Sequence, residues 1–572
     1  MIDPGRAIRT LRFSTLDNRQ ADCVNLSQIQ AQTCAHQRGK SMKYLSHVAA
    51  AAILAALPFH APIARAETPA NTLVQAWAID DIITLDPAEV FEFSAGELMG
   101  NTYETLIGYD PGDVSNVFGR VAESWTVSED GKTMTFKIRE GRSFASGNPV
   151  TAADVVFSLT RAVKMDMSPA FILTQFGFAP DTVDEKIRAI DDYTVEFEMD
   201  QAYAPSLVLY CLTANVASVV DMALVTEHEA DGDFGYNWLK TNYAGSGPFS
   251  IREWRPNEVV VLDRNENYSG DAPAMERVIY RHVPEPATER LLLEQGDVDI
   301  ARKLGPEEFA ALASNPDIKM QEGPKGTIYY IGLNQKNEYL SDPRVAEAMK
   351  YLVDYSAIAD TIMSGVAEVH QTFLPKGFLG ELDENPYALN VEKAKDLLAE
   401  AGYPDGFTVT MDARNTADIT AMAEAIQQTM AQAGIKVELI PGDGGQTLTK
   451  YRARTHDMYI GQWGPDYQDP HTNADTFTRN TDNSDEATSK PLAWRNAWDI
   501  PELSVETAAA MMEPDAENRA AIYRELQGKV LAESPYIIMF QQIEVAAIRS
   551  NVDGFILGPS FSDNSVAGVT KE

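Results

Sequence analysis

Cysteine is almost missing from this chain. Its 572 residues hold three, Cys23, Cys34 and Cys211, and only Cys211 follows the one apolar segment that looks like an export signal. A single cysteine makes no internal disulfide, and zinc sites built from four cysteines, or from two cysteines and two histidines, are excluded. Positive charge is also scarce: 47 Lys+Arg stand against 84 Asp+Glu, a formal charge of −37. A surface that acidic repels nucleic acid and anionic lipid, so no nucleic-acid partner is expected. Long apolar runs are lacking too. The longest, at 48–57, is about half of what a membrane span needs. There is no tandem repeat, no low-complexity linker, no G-x-S-x-G elbow, no H-E-x-x-H and no phosphate-cradling loop.

The apolar run has a meaning of its own. From Met42 the chain reads MKYLSHVAAAAILAALPFHAPIARAETPA, with a basic start at Lys43, an apolar middle and Ala64-Arg65-Ala66 at its end. That is the three-part plan of a secretory signal peptide, expected over 42–66 and cleaved near Ala66. No cysteine stands directly after it to carry a lipid anchor. Residues 1–41, with five scattered arginines, are expected to be an extension upstream of a true start at Met42.

The composition is that of a globular protein, 44% hydrophobic and 23% charged, and the chain is too long for one core. In VAESWTVSEDGKTMTFKIR (121–139) two alternating stretches flank a turn at Glu129–Lys132, which predicts a hairpin with one buried face. Thr151 opens a helix over 151–163. A strand–turn–strand is expected at 249–263 and strands at 327–333, 436–442 and 456–463. Helices are expected near 286–295, 342–353, 391–401 and 420–433. Strands and helices mixed throughout give an α/β class with several mixed sheets.

The stretch GQWGPDYQDPHTNADTF (461–477) concentrates the chemistry. Its carboxylates and His471 could hold a metal, run acid/base catalysis or hold a cation. The spacing is neither an EF-hand nor H-x3-H, and Pro470 interrupts the run, so no metal is expected. A carboxylate pair also fits a secreted hydrolase acting on peptides or glycosides, the alternative from a different class. On the residues alone Asp466 is either a solvated carboxylate of a Pro/Gly-rich turn or a cation-holding one, with Trp463 and Tyr467 able to add cation–π attraction to an ammonium.

Several ordered blocks resemble one family, the extracytoplasmic solute-binding proteins of peptide and nickel ABC importers. They are VAESWTVSEDGKTMTFKIREGRSFASGNPVTAADVVFSLTRA, GSGPFSIREWRPNEVVVLDRNENYSG, DPRVAEAMKYLVDYSAI, EKAKDLLAEAGYPDGF and WGPDYQDPHTNADTF. Ala145-Ser146-Gly147 departs from the His-Asp-Gly often found in the first block. The resemblance implies a two-lobed periplasmic binding protein with two hinge crossovers and an extra subdomain inserted in lobe I. Lobe I would comprise 67–105, 245–326 and 541–572, the inserted subdomain 106–244, and lobe II 327–540. It further implies a non-enzyme that works without a cofactor, a monomer that captures a peptide or amine-bearing solute for an inner-membrane ABC permease whose own subunits hydrolyse ATP. Opines, oligosaccharides and metal chelates are further ligands found among related proteins.

By the same resemblance Asp466 takes the ligand's α-amino group. Phe93, in a loop after the first strand, Trp494 and Arg495 on the lobe II wall and Gln541 near a crossover are further candidate contacts. Dipeptide binders of the family carry an arginine for the ligand carboxylate at the start of the helix expected here at 420–433. This chain has Thr420 and Ala421 there, with Arg414 a few residues upstream. The far end of the ligand therefore has no assigned partner.

Overall fold

The computed structural model describes residues 68–572 apart from Thr488. The extension 1–41 and the signal segment 42–66 lie outside the described residues. Eleven strands form one mixed sheet among them. In chain order its members are β1 (Thr72–Trp77), β8 (Phe249–Arg255), β9 (Val259–Arg264), β10 (Arg277–His282), β11 (Ile300–Ala301), β12 (Ile318–Leu333), β13 (Ala367–Val369), β14 (Thr408–Arg414), β15 (Lys436–Gly442), β16 (Met458–Trp463) and β17 (Tyr536–Arg549). The numbers between belong to six strands outside it. These are β2 (Ile107–Asp110), β3 (Asp113–Gly119), β4 (Ala122–Val127), β5 (Thr133–Ile138), β6 (Ile187–Asp191) and β7 (Thr194–Glu198).

The spatial order β15-β14-β16-β12-β17-β11-β1-β10-β9-β8 places two long antiparallel strands at the centre. β12 has 16 residues and β17 has 14, and each passes from one half of the sheet to the other. These are the two crossovers. Their ladder breaks between Pro324 and Ile328, where proline has no N–H to give and the strand bulges. Gln541 repairs the gap, its amide donating to Lys325 O at 3.0 Å and its oxygen accepting from Lys376 N at 2.9 Å.

Separate cores accompany the halves. Leu73, Trp77, Leu98, Val260 and Ile548 pack in one, and Ile331, Met349, Met411, Ile426 and Phe540 in another. A third core, built largely from Leu106 to Val219, sits over the sheet β4-β5-β7-β6. Val220, Val225, Leu239 and Ala244 pack with the first core instead, so the inserted body's own core ends near Val219. Cys211 is buried inside that body, and burial pushes its thiol well above its ordinary range.

Most expected elements stand where the patterning put them. The 121–139 hairpin is β4 and β5, but only β5 buries a full face, through Met134, Phe136 and Ile138. β4 is the edge of its sheet, and Val127 is exposed there. The helix expected at 420–433 runs Ala417–Ala431. Arg414 is accordingly the last residue of β14, exposed to solvent.

Candidate functional site

A cavity of about 340 Å³ lies where the three bodies meet. That volume is within the range of small-molecule sites, toward its lower end. One wall comes from Val90–Met99 and from Pro559–Ser565 near the C-terminus. The inserted body supplies a second wall from Tyr109, Arg120, Ile172 and Thr213–Val216. The third is the segment Gln462–Gln468, with Thr327 on β12.

The third wall follows from its local sequence. β16 ends at Trp463, Gly464-Pro465 stops the strand, and Pro470 stands at the start of the helix His471–Thr478. Between them the chain folds back. Asp466 N donates to Thr472 Oγ1 at 3.0 Å, and His471 N donates to Asp469 Oδ1 at 2.9 Å. The crossover strand approaches so closely that a Cβ on Gly326 would lie 2.8 Å from the Pro465 ring. Glycine there lets the wall rest on the hinge.

Asp466 is the chemically distinctive group. Its carboxylate accepts one long hydrogen bond, from Thr472 Oγ1 at 3.4 Å, and no lysine or arginine pairs with it among the described residues. Asp466 is half-buried and lines the cavity, and desolvation is the largest influence on its carboxyl, pushing its pKa up to about 7. The Thr472 hydroxyl and the more distant Arg495 charge act the other way, and Asp475 adds to the rise. A carboxylate held so gains strongly from an incoming cation. Trp463 is half-buried beside it, its indole N–H donating to Asn473 Oδ1 at 3.2 Å. Asn473 in turn is fixed by its bond to Phe373 O at 2.5 Å.

The other predicted residues divide. Phe93 lines the cavity, its ring 4.6 Å from that of Phe561. Tyr467 lines it as well, but the ring is buried in the inserted body's core, near Cys211. Trp494, Arg495 and Gln541 do not line it. Trp494 is buried, donates to Ser484 O at 2.7 Å, and is covered by the Arg454 guanidinium at 4.3 Å from the ring. Arg495 gives its Nε to Lys490 O at 3.1 Å and lies over the Tyr451 ring. Gln541 is consumed by the crossover repair. Each is spent on packing or backbone bonds that the sequence does not reveal.

The remaining acidic groups of the motif have protein partners. Asp469 forms a buried bidentate pair with Arg519, and Asp475 accepts from Arg479 at 2.8 Å. His471 is buried, and desolvation pulls its pKa down to about 4, so the ring is neutral. Sequence reading missed four charged groups of the wall, Glu92, Arg120, Lys325 and Asp563. Burial pushes the Glu92 carboxyl up. None of them was singled out by a motif, so only position in the fold could identify them.

The comparisons agree with this architecture. The chain is 29% identical over 504 residues to the probable D,D-dipeptide-binding periplasmic protein DdpA of Escherichia coli (strain K12), covering 87% of this chain and 94% of that one. It is 26% identical over 501 residues to the glutathione-binding protein GsiB of Salmonella paratyphi A, covering 84% and 92%. Among solved structures, the ABC transporter-associated periplasmic binding protein DppA from Helicobacter pylori, in complex with peptide STSA, superposes with a TM-score of 0.74. It is 26% identical, with 88% of this chain and 98% of that one covered. The family profile of bacterial extracellular solute-binding proteins, family 5, matches residues 116–485. With that profile spanning well over half of the sequence, this chain belongs to the bacterial extracellular solute-binding proteins of family 5.

Proposed function

We propose that this protein is the periplasmic substrate-binding component of an ABC importer, and that it captures a peptide or related amine-bearing solute in the cavity between its lobes. Asp466 is the observation that carries the reading. A half-buried, cavity-lining carboxylate without a cationic partner is stabilised by an ammonium, and such a charge-assisted hydrogen bond contributes about 1.5–3 kcal/mol. The relatives named for dipeptide, glutathione and peptide binding support the ligand class. Trp463 and Phe93 would flank the bound molecule, and Tyr467 would back the wall rather than face the amine.

The lobes would be near 67–105, 245–326 and 541–572 for the first and 327–540 for the second, with β12 and β17 as hinges. A ligand touching both lobes favours the closed arrangement because only that form contacts it from both sides. The closed monomer would then dock on an inner-membrane permease, with ATP hydrolysis in partner subunits. A signal peptide cleaved near Ala66 would deliver the protein to the periplasm. The test is calorimetry of the purified protein with L,L- and D,D-dipeptides, tripeptides and glutathione, each also as the N-acetyl derivative. Stoichiometric binding that N-acetylation and Asp466→Asn each weaken at least tenfold supports the reading. Binding indifferent to both removes Asp466 from the site.

A further inference from the structure

The far end of the ligand finds a partner on the inserted body. Arg120 lies in the connection between β3 and β4, its backbone N–H donating to Leu106 O at 2.9 Å. Its side chain crosses Gly108 on β2 and lines the cavity. A Cβ at position 108 would lie 2.6 Å from Arg120 Nε and 3.0 Å from Cζ. The missing side chain at Gly108 is thus the bed on which the guanidinium rests. No carboxylate or carbonyl accepts from this guanidinium among the described residues.

Two carboxylates near Arg120 are engaged elsewhere, and Glu92 on the first wall accepts from Phe91 N at 3.2 Å. Glu104 is paired with Arg142 and accepts from Ser246 Oγ at 2.9 Å. Asp563 accepts from the Tyr109 hydroxyl at 2.8 Å and from Ser560 Oγ at 2.6 Å. Lys325, the other cation of the cavity wall, is neutralised by Glu544 at 2.9 Å and donates to Asn564 Oδ1 at 2.7 Å. Of these two wall cations, Arg120 is the one whose donors stay free among the described residues. Asp466 belongs to a different wall, on the segment after β16.

We propose that Arg120 is the anion-binding pole of the cavity, taking the carboxylate of a zwitterionic ligand whose ammonium is held at Asp466. A guanidinium presents two parallel N–H donors that match a carboxylate. Placing the poles on the inserted body and on lobe II makes a zwitterion bridge two bodies, which ties charge recognition to closure. The assignment also accounts for the absence of arginine at 420–421 and for the exposed position of Arg414. It rests on the amine-at-Asp466 reading above.

The experiment is a cycle over ligand and protein. D-Alanyl-D-alanine, L-alanyl-L-alanine and their C-terminal amides are titrated into wild type, Arg120→Gln, Gly108→Ala and Asp466→Asn, with unfolding midpoints as a check on folding. In wild type, amidation is expected to weaken binding at least tenfold. Arg120→Gln is expected to lose at least tenfold for the free acid and to bind acid and amide alike. Gly108→Ala, which displaces the guanidinium while leaving its charge, should lose affinity for the acid and little for the amide. Amidation that costs Arg120→Gln as much as wild type overturns the assignment alone, and leaves the Asp466 reading to its own N-acetylation test. Failure of both dipeptides to bind wild type overturns the Arg120 assignment for these zwitterions, while tripeptides and glutathione still test the Asp466 reading.

Discussion

Arg519 and Asp469 close on one another as a bidentate pair, Nη1 to Oδ2 at 2.5 Å and Nη2 to Oδ1 at 2.7 Å, with both side chains almost fully buried. Arg519 also donates to Ala510 O at 2.9 Å and to Ser206 Oγ at 3.2 Å on the inserted body. Asp469 receives His471 N as well, at the start of the helix after the cavity wall. One ion pair therefore ties the segment carrying Asp466 to the helix Ala516–Glu533, and a single hydrogen bond from the same guanidinium reaches the inserted body. The carboxylate that holds the wall and the carboxylate that faces the cavity belong to the same short turn.

Removing one partner leaves the other charge buried and uncompensated. Asp469→Asn is expected to destabilise the fold by about 3–5 kcal/mol, as such disruptions do. The replacement of both residues by leucine should recover part of that loss, because no charge is then stranded. Urea denaturation of wild type and the two variants checks both statements. Equal stability of Asp469→Asn and wild type would contradict the structural role given to the pair.

Asp466 has the opposite energetics. Its pKa is raised to about 7 from an ordinary 3.8, so the folded state holds a proton that the unfolded chain has released. The stabilisation from that proton is complete below about pH 3.8 and is lost as the pH climbs through 7. Ligand-free protein at pH 8 therefore carries an ionised carboxylate that the fold disfavours, by up to about 4 kcal/mol for a shift of this size. Asp466→Asn should raise the unfolding midpoint at pH 8 and change it little near pH 4. A scanning-calorimetry series across that range reads the effect, and a midpoint lowered by Asp466→Asn at pH 8 would contradict it.

The cavity wall was legible because its signals are local. Gly464-Pro465 ends β16 and Pro470 starts a helix, so a turn carrying Asp466 at a strand end could be read from spacing. The role of Asp469 was hidden because its partner is 50 positions away. Trp494 and Arg495 sit in an aromatic and basic stretch that resembles a binding wall. The group that covers Trp494 is Arg454, which no pattern connects to it. Arg120 carries no motif at all, and its meaning comes from the bare Cα of Gly108 and from carboxylates already taken by others. Periodicity placed the elements, while long-range pairing decided which polar groups remained for a ligand.

The two tryptophans give an optical test of that division. Trp463 stands half-buried at the cavity, and Trp494 is buried under Arg454 away from it. A bound solute that desolvates the cavity should shift Trp463 emission. Trp463→Phe is expected to remove most of the ligand-induced fluorescence change, and Trp494→Phe to leave it intact. The reverse pattern, measured with a ligand that calorimetry shows to bind, would put Trp494 in the site.

Ionisation of Asp466 also sets how capture depends on pH. An ammonium ligand needs the carboxylate charged, so below about pH 7 binding must expel a proton from Asp466. Affinity should then fall about tenfold for each pH unit below 7, and about one proton should be released per ligand. On the alkaline side a peptide α-amino group loses its own proton near pH 8, so affinity declines again and the optimum lies between about 7 and 8. The group that opposes the raised pKa from outside the cavity wall is Arg495, and Asp475 reinforces the rise. Arg495→Gln should therefore move the acid limb to higher pH without abolishing binding, whereas Asp466→Asn should flatten that limb. Calorimetry in buffers of different ionisation enthalpy counts the proton directly. A count near zero at pH 6 would show that the bound amine does not meet this carboxylate.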